Sequence, residues 1–530
     1  MPKDEISRRS FLRDMAGASL GVLAAPYLSM KALASESDDP PNIIFIFTDD
    51  HAVQAISAYG SIVNKTPNID RIAEKGVIFE NSFCANSICA PSRACVLTGK
   101  HSHKNGQMTN KTEFDGSQMT FPKLLRDADY QTAVIGKWHL KSEPTGFDHW
   151  EVLRGQGRYY NPDFITPEGE KHYTGYCTDL ITDMSLEWLK NRDRKKPFLL
   201  LSQHKAPHRN WCPAPRHLHL YDDVEIPEPP TLFDDYSGRS DVLKNNEMEI
   251  DRHMIMGWDL KVDNSGMEDA LGRDWPNPEY KRFTPEQRKQ WDAAYNPKNE
   301  KFLKEKPTGK ALVRWKYQRY MKDYLRCVKA VDENIGRMLD YLEKTGLMDN
   351  TIVVYSSDQG FYLGEHGWYD KRWMYEESFR MPLVMSWPKR IKSGTREKHL
   401  VQNIDYAPTF LDAAGVSIPC DVQGDSLLEL FERKNPDWRD TLYYHYYEEG
   451  EHNVPRHDGV RNERYKLIHY YDEGAWELFD LTKDPHELKS VYSDPAYQTT
   501  REMMTRRYHA MRQRYDVPPH DKIEERLEKS

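Results

Sequence analysis

The sequence predicts an α/β protein: a large domain with a parallel sheet between helices, then a smaller C-terminal α+β unit. Three observations predict it. Short apolar runs recur at 43–47, 132–135, 198–201, 351–355 and 383–385. They are continuous rather than alternating, as strands covered on both faces are. Helical periodicity separates them, and strands alternating with helices build a large α/β domain. Past Asn435-Pro436-Asp437 the composition changes, and short aromatic runs follow.

The first residues read as an address rather than as fold. Ser7-Arg8-Arg9-Ser10-Phe11-Leu12-Arg13 is a twin-arginine stretch; a mildly apolar run, 15–28, and Ala32-Leu33-Ala34 follow it. Basic region, apolar region and small-residue site in that order form a cleavable signal. The paired arginines point to twin-arginine (Tat) export, and so to an exported protein, periplasmic or secreted. No Cys stands near the small-residue site to accept a lipid anchor. Cleavage after Ala34 removes five positive and three negative residues, leaving the mature chain at −11 from a formal −9.

A catalytic domain is expected over 40–434. Its clearest helix places Met321, Tyr324, Leu325, Val328, Val331, Ile335, Met338, Leu339 and Leu342 at threes and fours. Residues 221–310, rich in Pro and charge and poor in periodicity, read as a long surface insertion or a substrate-facing lid. The C-terminal unit, 435–520, is expected to hold short antiparallel strands at 443–447, 465–471 and 476–479 and a last helix at 501–515.

Composition excludes several classes. Lys+Arg number 74 against 83 Asp+Glu, which does not suit a nucleic-acid binder. Past the N-terminus no run reaches the roughly 18 apolar residues that a spanning helix needs. Seven Cys in 530 residues do not form a disulfide framework.

Ligands in open α/β sheets bind at the carboxyl ends of strands. Here the runs lead into Thr48-Asp49-Asp50, Gly136-Lys137-Trp138-His139, Gln203-His204-Lys205-Ala206-Pro207-His208 and Ser357-Asp358-Gln359-Gly360. Asp49, Asp50, Asp358 and the Gln359 amide offer oxygen ligands, which favour calcium or magnesium; nearby histidines leave zinc open on ligand type alone. Lys137, His139, His208 and Lys371 beside such a cation suit a tetrahedral anion. Taken singly, each has an ordinary reading as a helix cap, surface lysine or core histidine.

The segment Ser87-Ile88-Cys89-Ala90-Pro91-Ser92-Arg93-Ala94-Cys95-Val96-Leu97-Thr98-Gly99 decides between these readings. Cys-x-Pro-Ser-Arg followed by Ala-x-x-Leu-Thr-Gly resembles the signature of the type I sulfatases, in the alkaline phosphatase superfamily. The resemblance covers about residues 40–515. It implies a mixed, mostly parallel sheet between helices, plus a C-terminal α+β domain with an antiparallel sheet. It implies that Cys89 is converted by a formylglycine-generating maturation enzyme to formylglycine (3-oxoalanine), whose hydrate attacks sulfur. Asp49, Asp50, Asp358, Gln359 and the modified Cys89 match the ligands of one calcium ion. Gln359 stands where Asn or His is commoner. Arg93 would hold the nucleophile's hydroxyl, Lys137 and Lys371 the sulfate, His139 would bear on the nucleophile, and His208 would protonate the leaving oxygen.

Gln156-Gly157-Arg158-Tyr159-Tyr160-Asn161 and the stretch from Tyr362 to Trp368 look like those of glycan sulfatases, including the N-acetylglucosamine-6-sulfatase group. That likeness implies a sulfated carbohydrate as substrate, with His103, Arg158, His457 and Arg461 as contacts. Phosphate or phosphonate monoester hydrolysis is the alternative within the superfamily. A catalytically dead carbohydrate-binding relative is disfavoured because every expected catalytic position is filled.

Overall fold

The computed structural model describes residues 39–432 and 437–528. The expected leader, 1–34, and the boundary at 434/435 lie outside them. A ten-stranded sheet forms the large layer. In chain order its strands are β1 Asn42–Thr48, β2 Val77–Phe79, β3 Gln131–Gly136, β4 His149–Leu153, β5 Asp163–Thr166, β6 Gly169–His172, β7 Phe198–Gln203, β8 Thr351–Ser357, β9 Leu383–Ser386 and β10 Thr395–Glu397. Across the sheet they run β10-β2-β9-β8-β1-β7-β3-β4-β5-β6.

The five central strands, β8-β1-β7-β3-β4, are parallel. The expected strand at 383–385 exists but runs antiparallel to both of its neighbours, β8 and β2. A buried strand shows the same unbroken apolar run whichever way it points. The sheet is therefore mixed: parallel at its centre, antiparallel on either side of it, and parallel again at the β10-β2 edge.

Register places the site. Thr48 of β1 pairs with Ser357 of β8, Phe47 with Gln203 of β7, and Gln203 with Gly136 of β3. Four strands thus end almost in line, and the residues after them emerge on one rim. Gly136 is required there: its φ is +107°, and a Cβ would lie 1.9 Å from the Gln203 carbonyl oxygen.

The periodic segment becomes a helix over Lys310–Lys344, with its apolar stripe buried against the sheet. Residues 221–310 correct the expectation of a surface excursion. Ile226, Met248, Ile250, Met256, Leu260, Trp291 and Phe302 are buried, and Pro285–Glu305 is a helix with a Thr284/Gln287 capping box. Irregular chain is tolerated inside because its polar groups find partners. The Asp259 carboxylate, for example, accepts from the Arg209 guanidinium at 2.7 Å and from the Ile255 amide at 2.9 Å.

The C-terminal sheet is antiparallel: β11 Leu442–Tyr446, β12 His457–Arg461, β13 Tyr465–Tyr470 and β14 Ala475–Asp480. The helix Gln498–Arg514 packs on it. Strand β12 and the helix His520–Leu527 are additions to the sequence-based expectation.

Candidate active site

Asp49 and Asp50 follow β1, Lys137 and His139 follow β3, His208 follows β7, and Asp358 and Gln359 follow β8. Facing them, Cys89 opens the helix Cys89–Thr98, with Pro91 in its first turn. All ten residues of this helix are buried, and Cys89 is 1% exposed. Its thiol donates to Asp49 Oδ1 at 3.3 Å. The helix N-terminus directs backbone dipoles at the same point, which favours an anion there.

Arg93, one turn further along, holds the arrangement together. Its Nε and Nη2 donate to Asp358 Oδ2 at 3.1 and 3.0 Å. Its Nη1 donates to the Lys137 carbonyl oxygen at 2.8 Å and to Gln203 Oε1 at 3.0 Å. The Lys137 ammonium pairs with Asp49, and Lys371 pairs with Asp50 Oδ2 at 2.8 Å. His208 Nε2 lies 3.8 Å from Asp50 Oδ2. His208 Nδ1 is 2.6 Å from the Arg209 carbonyl oxygen. A carbonyl only accepts, so Nδ1 carries the proton and Nε2 is the nitrogen turned to the site.

The electrostatics fit a cation. Burial raises every one of the three carboxyls. In Asp49 the charges of Lys137, His208, Arg93 and Lys371 outweigh burial and hold the group well below the usual range. In Asp50 burial prevails over Lys371, and the pKa rises to about 6. In Asp358 burial together with the charge of Asp49 raises it to about 8. Carboxylate oxygens of Asp49, Asp50 and Asp358 lie within 4.8 Å of one another. The Gln359 Nε2 donates to Asp50, and its buried Oε1 has no hydrogen-bond partner. Three crowded carboxylates and one orphaned amide oxygen make the donor set of a hard divalent cation. The thiol of Cys89 and the imidazoles of His139 and His208 are pushed toward their neutral forms, chiefly by burial.

A cleft of about 660 Å³ opens above this cluster, with Cys89, His208 and Lys371 at its floor. Of the expected substrate contacts, Arg158 lines it. The other three are corrected by the structure. His103 is buried, with Nε2 2.8 Å from the Tyr515 carbonyl oxygen. His457 is fully buried, its ring stacked 5.7 Å from that of Trp373. Arg461 pairs with Glu376 at 3.1 Å, lies 4.5 Å from the Phe83 ring centroid, and lines a separate cavity of about 520 Å³. In their place the cleft presents Asp370, Arg372 and His452, with His452 Nε2 3.4 Å from Asp370 Oδ2. Asp370 adjoins Lys371 in sequence and was legible on that ground; nothing local marks His452.

Fold and site together define an enzyme of the alkaline-phosphatase-like class, with buried carboxylates, lysines, an arginine and one thiol gathered at the strand ends. The chain belongs to the sulfatase family: residues 41–416 match the family Sulfatase, and residues 364–514 match N-sulphoglucosamine sulphohydrolase, C-terminal. An N-acetylglucosamine-6-O-sulfatase of Bacteroides thetaiotaomicron is 48% identical over 97% of this chain and 92% of that protein. The human N-acetylglucosamine-6-sulfatase is 26% identical, over 77% of this chain and 68% of its own length. A solved structure described in complex with its substrate, D-glucosamine-2-N,6-O-disulfate, superposes with a TM-score of 0.87 at 48% identity. It covers 91% of this chain and 99% of the other. The phosphonate monoester hydrolase of Agrobacterium radiobacter superposes with a TM-score of 0.62 at 19% identity, covering 90% of this chain and 96% of that one, and so shares the fold.

Proposed function

We propose that this sulfatase removes the 6-O-sulfate of a glucosamine residue in a sulfated glycan, with a formylglycine made from Cys89 as nucleophile and one calcium ion. The observation that carries the substrate is the 48% identity, over nearly the whole chain, to an N-acetylglucosamine-6-O-sulfatase. Asp370, Arg372 and His452 support it: they offer donors and acceptors for sugar hydroxyls around the mouth of the anion site.

Asp49, Asp50, Asp358 and Gln359 would hold calcium, which supplies positive charge against the sulfate oxygens when bound. The formylglycine would supply a hydrated aldehyde, whose hydroxyl is the attacking oxygen. The rest belongs to the chain's own side chains. Arg93 fixes the Asp358 carboxylate through two hydrogen bonds. The Lys137 and Lys371 ammonium groups, paired with Asp49 and Asp50, would neutralise the sulfate oxygens. His208, its Nδ1–H held by the Arg209 carbonyl, would act as the imidazolium, which the negative charge of a bound sulfate ester favours, and would give the Nε2 proton to the departing sugar oxygen. A maturation enzyme acting on Cys89, Tat export directed by residues 1–34 and an extracytoplasmic site of action complete the proposal.

His208→Ala lowers kcat/KM on a sugar 6-sulfate by about 10²–10⁴-fold. The loss is much smaller on an aryl sulfate whose phenol leaves without a proton. Equal losses on both substrates would remove His208 as the acid. The function itself is tested by free sulfate released from glucosamine 6-, 2-N- and 3-O-sulfates, galactose sulfates and aryl phosphates. Release from the glucosamine 6-sulfates is expected; turnover confined to galactose sulfates or phosphates would overturn the assignment.

A further inference from the structure

The insertion brings two tryptophans to the mouth of the catalytic cleft. Trp258 and Trp275 both line it, with ring centroids 5.9 Å apart and planes at 69°. Trp275 is 50% exposed, whereas Trp211, Trp291, Trp368 and Trp373 are at most 1% exposed. The core therefore accounts for those four and not for Trp275. An exposed indole beside a concave site is a surface that a ligand can cover.

The pair is held in place. Gly257 sits against the Trp275 backbone: a Cβ on it would lie 2.6 Å from the Trp275 carbonyl oxygen. The Tyr160 amide donates to Glu279 Oε2 at 3.0 Å, which ties the loop carrying Arg158 to the segment after Trp275. Arg273 lies 5.6 Å from the Trp275 ring and is anchored by Asp269 at 2.5 Å. Arg158 is exposed and lines the same cleft, where its charge acts on the buried Glu279 carboxyl. Rigid, pre-placed aromatic faces lose little entropy on binding.

Resting on the sugar-sulfate reading above, we propose that Trp258 and Trp275 form a second sugar subsite. It binds the residue next to the one that carries the scissile sulfate, and Arg158 receives an acidic group on that neighbour. The apolar C–H face of a pyranose matches an indole face, and the guanidinium matches a carboxylate. Volume and continuity support one occupant, the glycan chain itself. The cleft's 660 Å³ is well within the range of roughly 300–1,000 Å³ that holds drug-sized ligands, and the tryptophans share it with Cys89.

The test compares kcat/KM on N-acetylglucosamine 6-sulfate with that on two tetrasaccharides carrying the same sulfated residue, one beside a uronic acid and one beside galactose. The wild-type enzyme favours both tetrasaccharides about tenfold or more over the monosaccharide. Trp275→Ala cuts that preference about tenfold while leaving the monosaccharide rate within about twofold. Trp275→Phe restores part of it, and Arg158→Ala weakens only the uronic-acid substrate. A wild-type preference near one, or one unchanged in Trp275→Ala, overturns the subsite while the sulfatase assignment stands. Failure of the wild-type enzyme on all three sugars, with another sulfate ester cleaved, overturns the assignment and the subsite together. Unchanged melting of Trp275→Ala shows that folding is not the cause.

Discussion

Cys89→Ala lowers sulfate release by about 10⁴-fold or more and leaves the protein folded, because on the proposed mechanism it removes the atom from which the nucleophile is made. The alanine fits the same helix, in which all ten residues are buried and Arg93 keeps its four hydrogen bonds. The stability cost is that of one small buried group, about 1–2 kcal/mol. Circular dichroism and thermal melting should therefore resemble those of the wild-type enzyme while turnover disappears. A Cys89→Ala enzyme that kept a tenth of the activity would place the nucleophile elsewhere. An unmodified Cys89 in the mass spectrum of fully active protein would do the same to formylglycine.

Calcium raises the melting temperature of the wild-type protein by about 3 °C, and Asp358→Asn abolishes that rise. A ligand at about 100 times its Kd adds about 2.7 kcal/mol to the folded state. With an unfolding entropy of about 2.1 cal/mol/K per residue, a chain of this length shifts by about 1 °C per kcal/mol, so a rise of about 3 °C is expected. Asp358 is singled out because it alone among the three carboxyls is hydrogen-bonded by Arg93, and burial with the neighbouring Asp49 charge raises its pKa to about 8. Chelation lowers wild-type activity by about 10³-fold and re-addition of calcium restores it. An Asp358→Asn protein that still gained stability from calcium would assign the ion to other ligands.

The gathering of the candidate site residues was legible because they sit in contiguous motifs at the ends of apolar runs. Asp49, Lys137, His208 and Asp358 each follow a strand, and strand register alone brings them together. The direction of β9 was not legible, since an unbroken apolar run carries no polarity. Nor was the interior half of 221–310: Asp259 is buried because Arg209, fifty residues away, meets it, and no local pattern encodes that pairing. Strand β12 misled for the same reason. His457 and Arg461 were expected to touch substrate, yet Glu376 pairs with Arg461, and Tyr443, Tyr508 and Arg512 satisfy the neighbouring Asp458, from distant elements. Those partners turn a polar pentapeptide into a wholly buried strand.

The burial of the Cys89 helix bears on the molecule's history. A modifying enzyme must grip the chain around its target, and the folded protein leaves only 1% of Cys89 open to solvent. On the proposed reading, conversion belongs to the interval between synthesis and folding, and a protein exported already folded would have to be converted before it leaves the cytoplasm. Two molecules of identical sequence and identical shape then differ in competence according to whether each met its modifier in time. Adding that modifier to folded, unconverted protein should leave it inert, and adding it during refolding should rescue it.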